Sequence, residues 1–126
     1  MKVKDIDHVT LFSDDLEKSM RFYHEALDLP VVKFQNDRLE LQLGKQKLII
    51  LNINAEMPAK PGKNIAGGGS FSLISKDPLE YLTNHFANYG VDILAGPLKI
   101  RGANGMMNAI YIHDPDQNLI EICESK

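Results

Sequence analysis

An order of elements that occurs twice constrains this chain more than any other feature. Residues 3–12 alternate as a strand does, with Ile6, His8, Thr10 and Phe12 on one face and Asp7, Val9 and Leu11 on the other. The stretch "SDDLEKSMRFYHEALDLP" then reads as a helix. Asp14 and Glu17 match a capping box, and Leu16, Met20, Tyr23 and Leu27 fall on one helical face. Pro30 ends the element. Three strands are expected near 31–35, 38–43 and 46–52, turned by "FQNDR" and "LGKQK". The order then restarts. "SFSLIS" (70–75) reads as a strand, and Asp77 and Pro78 as an N-cap followed by a proline at the first helical position. Leu79, Leu82, Phe86 and Tyr89 form a helical stripe, and Gly90 suits the position just past the helix end. Strands near 92–99, 106–113 and 118–124 complete a second β-α-β-β-β set.

The two sets also align residue by residue. Laying "HVTLFSDDL" on "SFSLISKDPL" pairs Leu11 with Leu73, Ser13 with Ser75 and Asp15 with Asp77. Laying "GKQKLIIL" on "PDQNLIEI" pairs Gln46 with Gln117 and Leu48 with Leu119. Such internal repeats fix an architecture. The expectation is an α+β fold in which two paired βαβββ modules form a curved mixed sheet around a cleft, the first and last strands lying side by side. The proline- and glycine-rich segment at about 54–68 separates module 1 (about 1–53) from module 2 (about 69–126), within a single domain spanning 1–126.

Composition narrows the function. A chain of 126 residues suits one domain with its own core. The net charge of -3 and scattered lysines and arginines argue against a nucleic-acid binder, which carries a basic patch. Cys123 is the sole cysteine, so no internal disulfide forms, and a reducing, cytoplasmic setting is expected. The N-terminal "MKVKDIDHVTLF" lacks the apolar run of a signal peptide. No apolar stretch approaches the roughly 20 residues of a membrane span, so no membrane partner is expected.

The last strand, in "HDPDQNLIEICE", places Glu121 between Ile120 and Ile122. A carboxylate facing a pocket needs a partner, because an unpaired buried charge is costly. In the overlay His8 falls opposite Ser70, and Glu121 opposite Ile50. Packing of the modules about a pseudo-twofold axis would bring His8, Ile50 or a neighbour, Ser70 and Glu121 together. Imidazole and carboxylate are normal ligands for zinc, iron, manganese and nickel, so His8 and Glu121 are the candidate metal ligands. Tyr111 shares a strand face with Met107, Ala109 and His113, and is a candidate hydrogen-bond donor to a substrate oxygen. Arg38, Glu40 and Gln42 alternate with leucines as a polar face that meets either water or a cleft, and Arg101 is a candidate for an acidic ligand. Cys123 has the strand parity of Glu121 but lacks an activating base nearby in sequence, so it is not read as a nucleophile.

The segments "IDHVTLFSDDLEKSMRFYHEALDLP" and "GPLKIRGANGMMNAIYIHDPDQNLIEI", with the repeated order between them, resemble the vicinal oxygen chelate superfamily along nearly the whole chain. That superfamily contains glyoxalase I, bleomycin-resistance proteins, fosfomycin-resistance enzymes and extradiol dioxygenases. The resemblance implies paired βαβββ modules, a homodimer, a small-molecule ligand and a divalent metal that acts as a Lewis acid on a substrate bound through neighbouring oxygens. Carried over by position, His8 and Glu121 become metal ligands, and Glu121 and Tyr111 the catalytic pair. The third corner falls on Ile50 or Leu51 and the fourth on Ser70, none of which is a strong ligand. Two readings of function follow: glyoxalase- or dioxygenase-like metal chemistry on a small oxygenated molecule at an incomplete His/Glu site, or metal-free sequestration of a small molecule, as in bleomycin resistance.

Overall fold

A computed structural model describes residues 1–125. They divide into two compact units, Met1–Gly67 and from Gly68 onward. The first contains β1 (His8–Ser13), α1 (Leu16–Arg21), β2 (Val31–Gln35), β3 (Arg38–Leu43) and β4 (Gln46–Asn52). The second contains β5 (Ser70–Ser75), α2 (Leu79–Asn88), β6 (Ala95–Gly102), β7 (Gly105–His113) and β8 (Leu119–Glu124). Each unit is a βαβββ module with a four-stranded mixed sheet, ordered β1-β4-β3-β2 in the first and β5-β8-β7-β6 in the second. In each, the first strand lies parallel to the last, and the other pairs are antiparallel. This α+β architecture is the one expected from the repeat.

Both helices start one residue later than the sequence suggests, for the same reason. Ser13 Oγ accepts the backbone N–H of Asp15 at 3.0 Å, and Ser75 Oγ accepts that of Asp77 at 3.0 Å. The hydroxyl at each strand end holds the chain in a turn, a local bond that competes with helix formation. In the first unit the N-cap is therefore Asp15, which accepts from Lys18 N at 3.2 Å, and not Asp14. In the second, Pro78 is extended, with ψ 150°, and stands as the N-cap without a side-chain bond; Asp77 does not cap.

The first helix widens into a π-helical turn over Phe22–Ala26, where Leu27 N–H reaches Phe22 O at 3.2 Å. Its buried residues are Leu16, Ser19, Tyr23 and Ala26, while Met20 and Leu27 are only half-buried. Ser19 replaces Met20 in the buried stripe because its hydroxyl meets Ser13 Oγ at 2.8 Å inside the core. In α2, Leu79, Leu82 and Phe86 face inward, but Tyr89 caps the helix and is exposed. Gly90 follows at φ +70°, the left-handed conformation that favours glycine there.

β1 begins at His8, and residues 3–7 lie outside the strand. β6 begins at Ala95 and carries a bulge between Ala95 and Leu98 that includes a cis Gly96–Pro97 peptide. Gly96 has φ +94°, and a Cβ on it would lie 2.5 Å from the carbonyl oxygen of Ala109, so glycine is required there.

Period-two alternation decides which faces are buried. Leu39, Leu41, Leu48 and Ile50 are almost fully buried together with Leu11 and Tyr23, and α1 packs on β3 and β4. Ile110, Ile112, Ile120 and Ile122 do the same in the second unit, where α2 packs on β7. Each such side chain contributes about 1.5–3 kcal/mol of burial free energy. On the opposite face of the first sheet a smaller apolar cluster joins Phe12, Ile49 and Leu51 to Ala55, with Ile53 and Met57 packed against it. Among the described residues no helix is long and apolar enough to cross a membrane.

Candidate functional site

Glu121 occupies the centre of a row of side chains across the second sheet. It lies opposite Ser72 in the parallel β5–β8 ladder and opposite Tyr111 in the antiparallel β7–β8 ladder. Direct cross-strand partners place their side chains on one face within reach of each other. The isoleucines on either side of Glu121 point to the opposite, helix-covered face. A carboxylate can therefore interrupt an apolar strand without entering its core.

The carboxylate is bonded on both oxygens. Tyr111 donates its hydroxyl to Oε2, and Cys123 donates its thiol to Oε1 at 3.5 Å. Ser72 Oγ lies 3.2 Å from Cys123 Sγ and faces the carboxylate across the β5–β8 ladder. Partial burial pushes the Glu121 carboxyl up, but the bonds from Tyr111, Ser72 and Cys123 outweigh it and hold the group below the usual carboxylate range. Tyr111 moves the other way: its bond to Glu121, then burial and the adjacent charge, raise its phenol. The pair is thus an ionised acceptor facing a protonated donor. Cys123 is fully buried. Burial raises its thiol, as does the neighbouring Glu121, against a smaller lowering by Ser72.

Of the sequence candidates, Glu121 and Tyr111 are brought together. His8 belongs to the first unit, at the start of β1, where its Nδ1 meets Asp7 Oδ2 at 2.8 Å. This contact leaves Nε2 as the ring nitrogen without a protein partner among the described residues. Ser70 stands opposite Leu119 and is exposed. The ladders also move the third corner. Ser72 faces Glu121; its counterpart in the first module, Thr10, faces Ile49. Glu121 therefore corresponds to Ile49, one residue before the Ile50 of the sequence overlay, because the register is set by strand pairing and not by the turn sequence. Leu51 is buried in the apolar cluster. Arg101 lies in β6, opposite Met106, and is exposed. His113 ends β7 and is exposed.

Sequence reasoning missed Cys123 as a donor to Glu121 and Ser72 as the partner of Cys123. Strand parity signals Cys123, but nothing local signals Ser72, which reaches Glu121 through a ladder closed over 49 residues. It also missed the buried side-chain network inside the turn that leads into β8. Asp114, buried, accepts from Asp116 N at 3.0 Å, Asn118 N at 2.8 Å and Asn118 Nδ2 at 2.8 Å, while Asn118 Oδ1 accepts Gly69 N at 2.8 Å. This network ties the start of β5 to the start of β8, and so fixes Ser72 against Glu121.

Among the described residues no three His, Cys, Asp or Glu side chains cluster as a metal site. By donor chemistry alone, the imidazole of His8 in the first unit and the carboxylate of Glu121 in the second are each of a kind that binds divalent cations.

Comparison with known proteins agrees with this fold. The family model for the Glyoxalase/Bleomycin resistance protein/Dioxygenase superfamily matches residues 5–122. The chain is 33% identical over 124 residues to Virulence protein STM3117 of Salmonella typhimurium, covering 98% of this chain and 86% of that protein. The crystal structure of that protein superposes with a TM-score of 0.92 over 100% of both chains. An integron cassette protein from the mobile metagenome of V. cholerae matches with a TM-score of 0.92 at 31% identity, over 100% of this chain and 98% of its own. Glyoxalase domain-containing protein RDO1 of Mycosarcoma maydis is 30% identical over 122 residues, 97% of this chain and 69% of that protein. With its two βαβββ modules and a match over nearly its whole length, the chain belongs to the Glyoxalase/Bleomycin resistance protein/Dioxygenase superfamily.

Proposed function

We propose that the protein is a glyoxalase- or dioxygenase-like member that acts on a small oxygenated molecule, with His8 and Glu121 as the protein ligands of a divalent metal. The observation that carries this reading is the Tyr111–Glu121 pair: a carboxylate kept ionised, as a metal ligand or proton acceptor must be, beside a phenol kept protonated. A cation held there supplies Lewis-acid polarisation of a substrate oxygen. Glu121 accepts a proton or coordinates, and Tyr111 turns its hydroxyl from Glu121 to a substrate oxygen when one arrives. Asp7 meets the Nδ1 side of the His8 ring. In this reading residues 1–126 act as one domain, in the cytoplasm, as a homodimer, and neither nucleic acid nor membrane is a partner.

A second reading, metal-free sequestration of a small molecule, is favoured by one observation. Tyr111, Ser72 and Cys123 already satisfy the Glu121 carboxylate without an ion. Titration of untagged protein with zinc and manganese, followed by elemental analysis, separates the two. The metalloenzyme reading expects about one metal per chain and its loss in both His8→Ala and Glu121→Gln. Stoichiometric binding that survives both substitutions, or no binding in wild type with a candidate diol present, rules it out.

A further inference from the structure

The first unit carries a charge pattern that the site around Glu121 does not use. The strands of its sheet contain three cations, Lys33, Arg38 and Lys47, and one acid, Glu40. A chain with net charge -3 thus has one sheet that is net positive. The charges share a face. Lys33 is the ladder partner of Glu40, Lys47 is the partner of both Gln42 and His8, and Arg38 precedes Glu40 by two residues. Leu39 and Leu41, between them, point into the helix-covered core.

Glu40 organises the group. Its side chain is only 14% exposed; Oε2 accepts from Arg38 Nε at 2.8 Å, and Oε1 from Lys47 Nζ at 3.3 Å. Arg38 is held through Nε alone, so its two terminal nitrogens have no protein partner among the described residues. A guanidinium fixed from the side presents a planar fork, which matches a carboxylate in two parallel hydrogen bonds. Arg38 also stands in the same row as Leu51 and Phe12, beside the apolar cluster. Apolar neighbours lower the local dielectric and strengthen such a contact. Glu40 engages Lys47 as well as Arg38, so the fork left open on this face is that of Arg38, which suits a single carboxylate.

We propose that this face, with Arg38 as the reading residue, recognises the carboxylate of a small monoanionic ligand. The proposal rests on the small-molecule function above and adds one property of the ligand, a carboxylate. Arg38 is then a specificity residue and not a catalytic one.

Three probes test it by nuclear magnetic resonance titration at low salt: catechol, 3,4-dihydroxybenzoate and benzoate. They carry the paired oxygens alone, both features, and the carboxylate alone. Wild type is expected to bind 3,4-dihydroxybenzoate about tenfold more tightly than catechol, and benzoate is expected to shift the Arg38 Nε resonance. Arg38→Gln, checked for folding by its thermal melt, should abolish the preference and leave catechol unchanged. Arg38→Lys, which keeps the charge and loses the fork, should retain part of it. Equal binding of the two diols by wild type, a preference that survives Arg38→Gln, or no response of Arg38 to benzoate would overturn the proposal. If neither diol binds and benzoate still shifts Arg38, the diol function falls and the carboxylate face stands.

Discussion

Tyr111 and Glu121 face each other across the β7–β8 ladder, and the tyrosine hydroxyl donates to the glutamate carboxylate. Each stabilises the protonation state that the other needs. Tyr111→Phe removes the strongest of the bonds that hold Glu121 down. The Glu121 carboxyl should rise, read by carbon-13 NMR titration of labelled glutamate side chains. A Glu121 midpoint that does not move in the phenylalanine variant would show that Ser72 and Cys123 suffice.

The same pair sets a dependence of stability on pH. Glu121 and Glu40 both sit below the ordinary carboxylate value in the folded state. Their contribution is therefore present above about pH 4.3, the ordinary glutamate value, and lost as pH falls through the lower folded values. Tyr111 is raised, so its contribution is present below about pH 10, its ordinary value, and lost as pH climbs through the higher folded one. Melting temperature followed from pH 7 to pH 3 should fall less steeply in Glu121→Gln than in wild type. Parallel curves would contradict this assignment.

Cys123 is fully buried, its thiol is raised, and its sulfur is engaged by Ser72 and Glu121. Thiolate is the reactive form. A thiol-specific chromogenic disulfide at pH 7.5 should therefore label it only as fast as the unit opens. Labelling within the mixing time under native conditions would place the sulfur at an accessible surface, contrary to the structure.

Asn118 couples two strands through one amide. Its Oδ1 holds Gly69 N, just before β5, and its Nδ2 holds Asp114 in the buried turn before β8. Asn118→Ala removes the acceptor of Gly69 N and one of the donors to Asp114, which costs about 1–3 kcal/mol in all. Chemical denaturation should show a loss in that range, with the altered Gly69 amide visible in the NMR spectrum. A loss below about 0.5 kcal/mol, the size of an ordinary surface change, would mean that water replaces the amide.

How much of this was legible in sequence follows the range of the interaction. Strands 31–35, 38–43 and 46–52 match β2, β3 and β4, because alternation and turn residues are local signals. The helix starts were missed by one residue, since Ser13 and Ser75 bond the backbone two positions on and delay each helix. The buried stripe of α1 shifted from Met20 to Ser19, because a hydroxyl pair with Ser13 outweighs residue type. At the site, Glu121 and Tyr111 were legible from strand parity and family pattern. Ser72 was not, and the counterpart of Glu121 was misplaced by one, because a parallel register is decided by chain segments far apart in sequence.

In both modules the strand made first is the one that waits longest for its partner. His8 pairs with Lys47, and Ser70 with Leu119, whereas β3 and β4 meet across a turn of two residues, Gly44 and Lys45. Closing long loops is slow and short ones fast. The hairpins should therefore assemble before β1 and β5 dock, with pulse-labelled amides of β3–β4 protected ahead of those of β1. A ribosome would have to deliver nearly a whole module before its opening strand found a place, so His8 would acquire its final surroundings only after the chain up to β4 had been made.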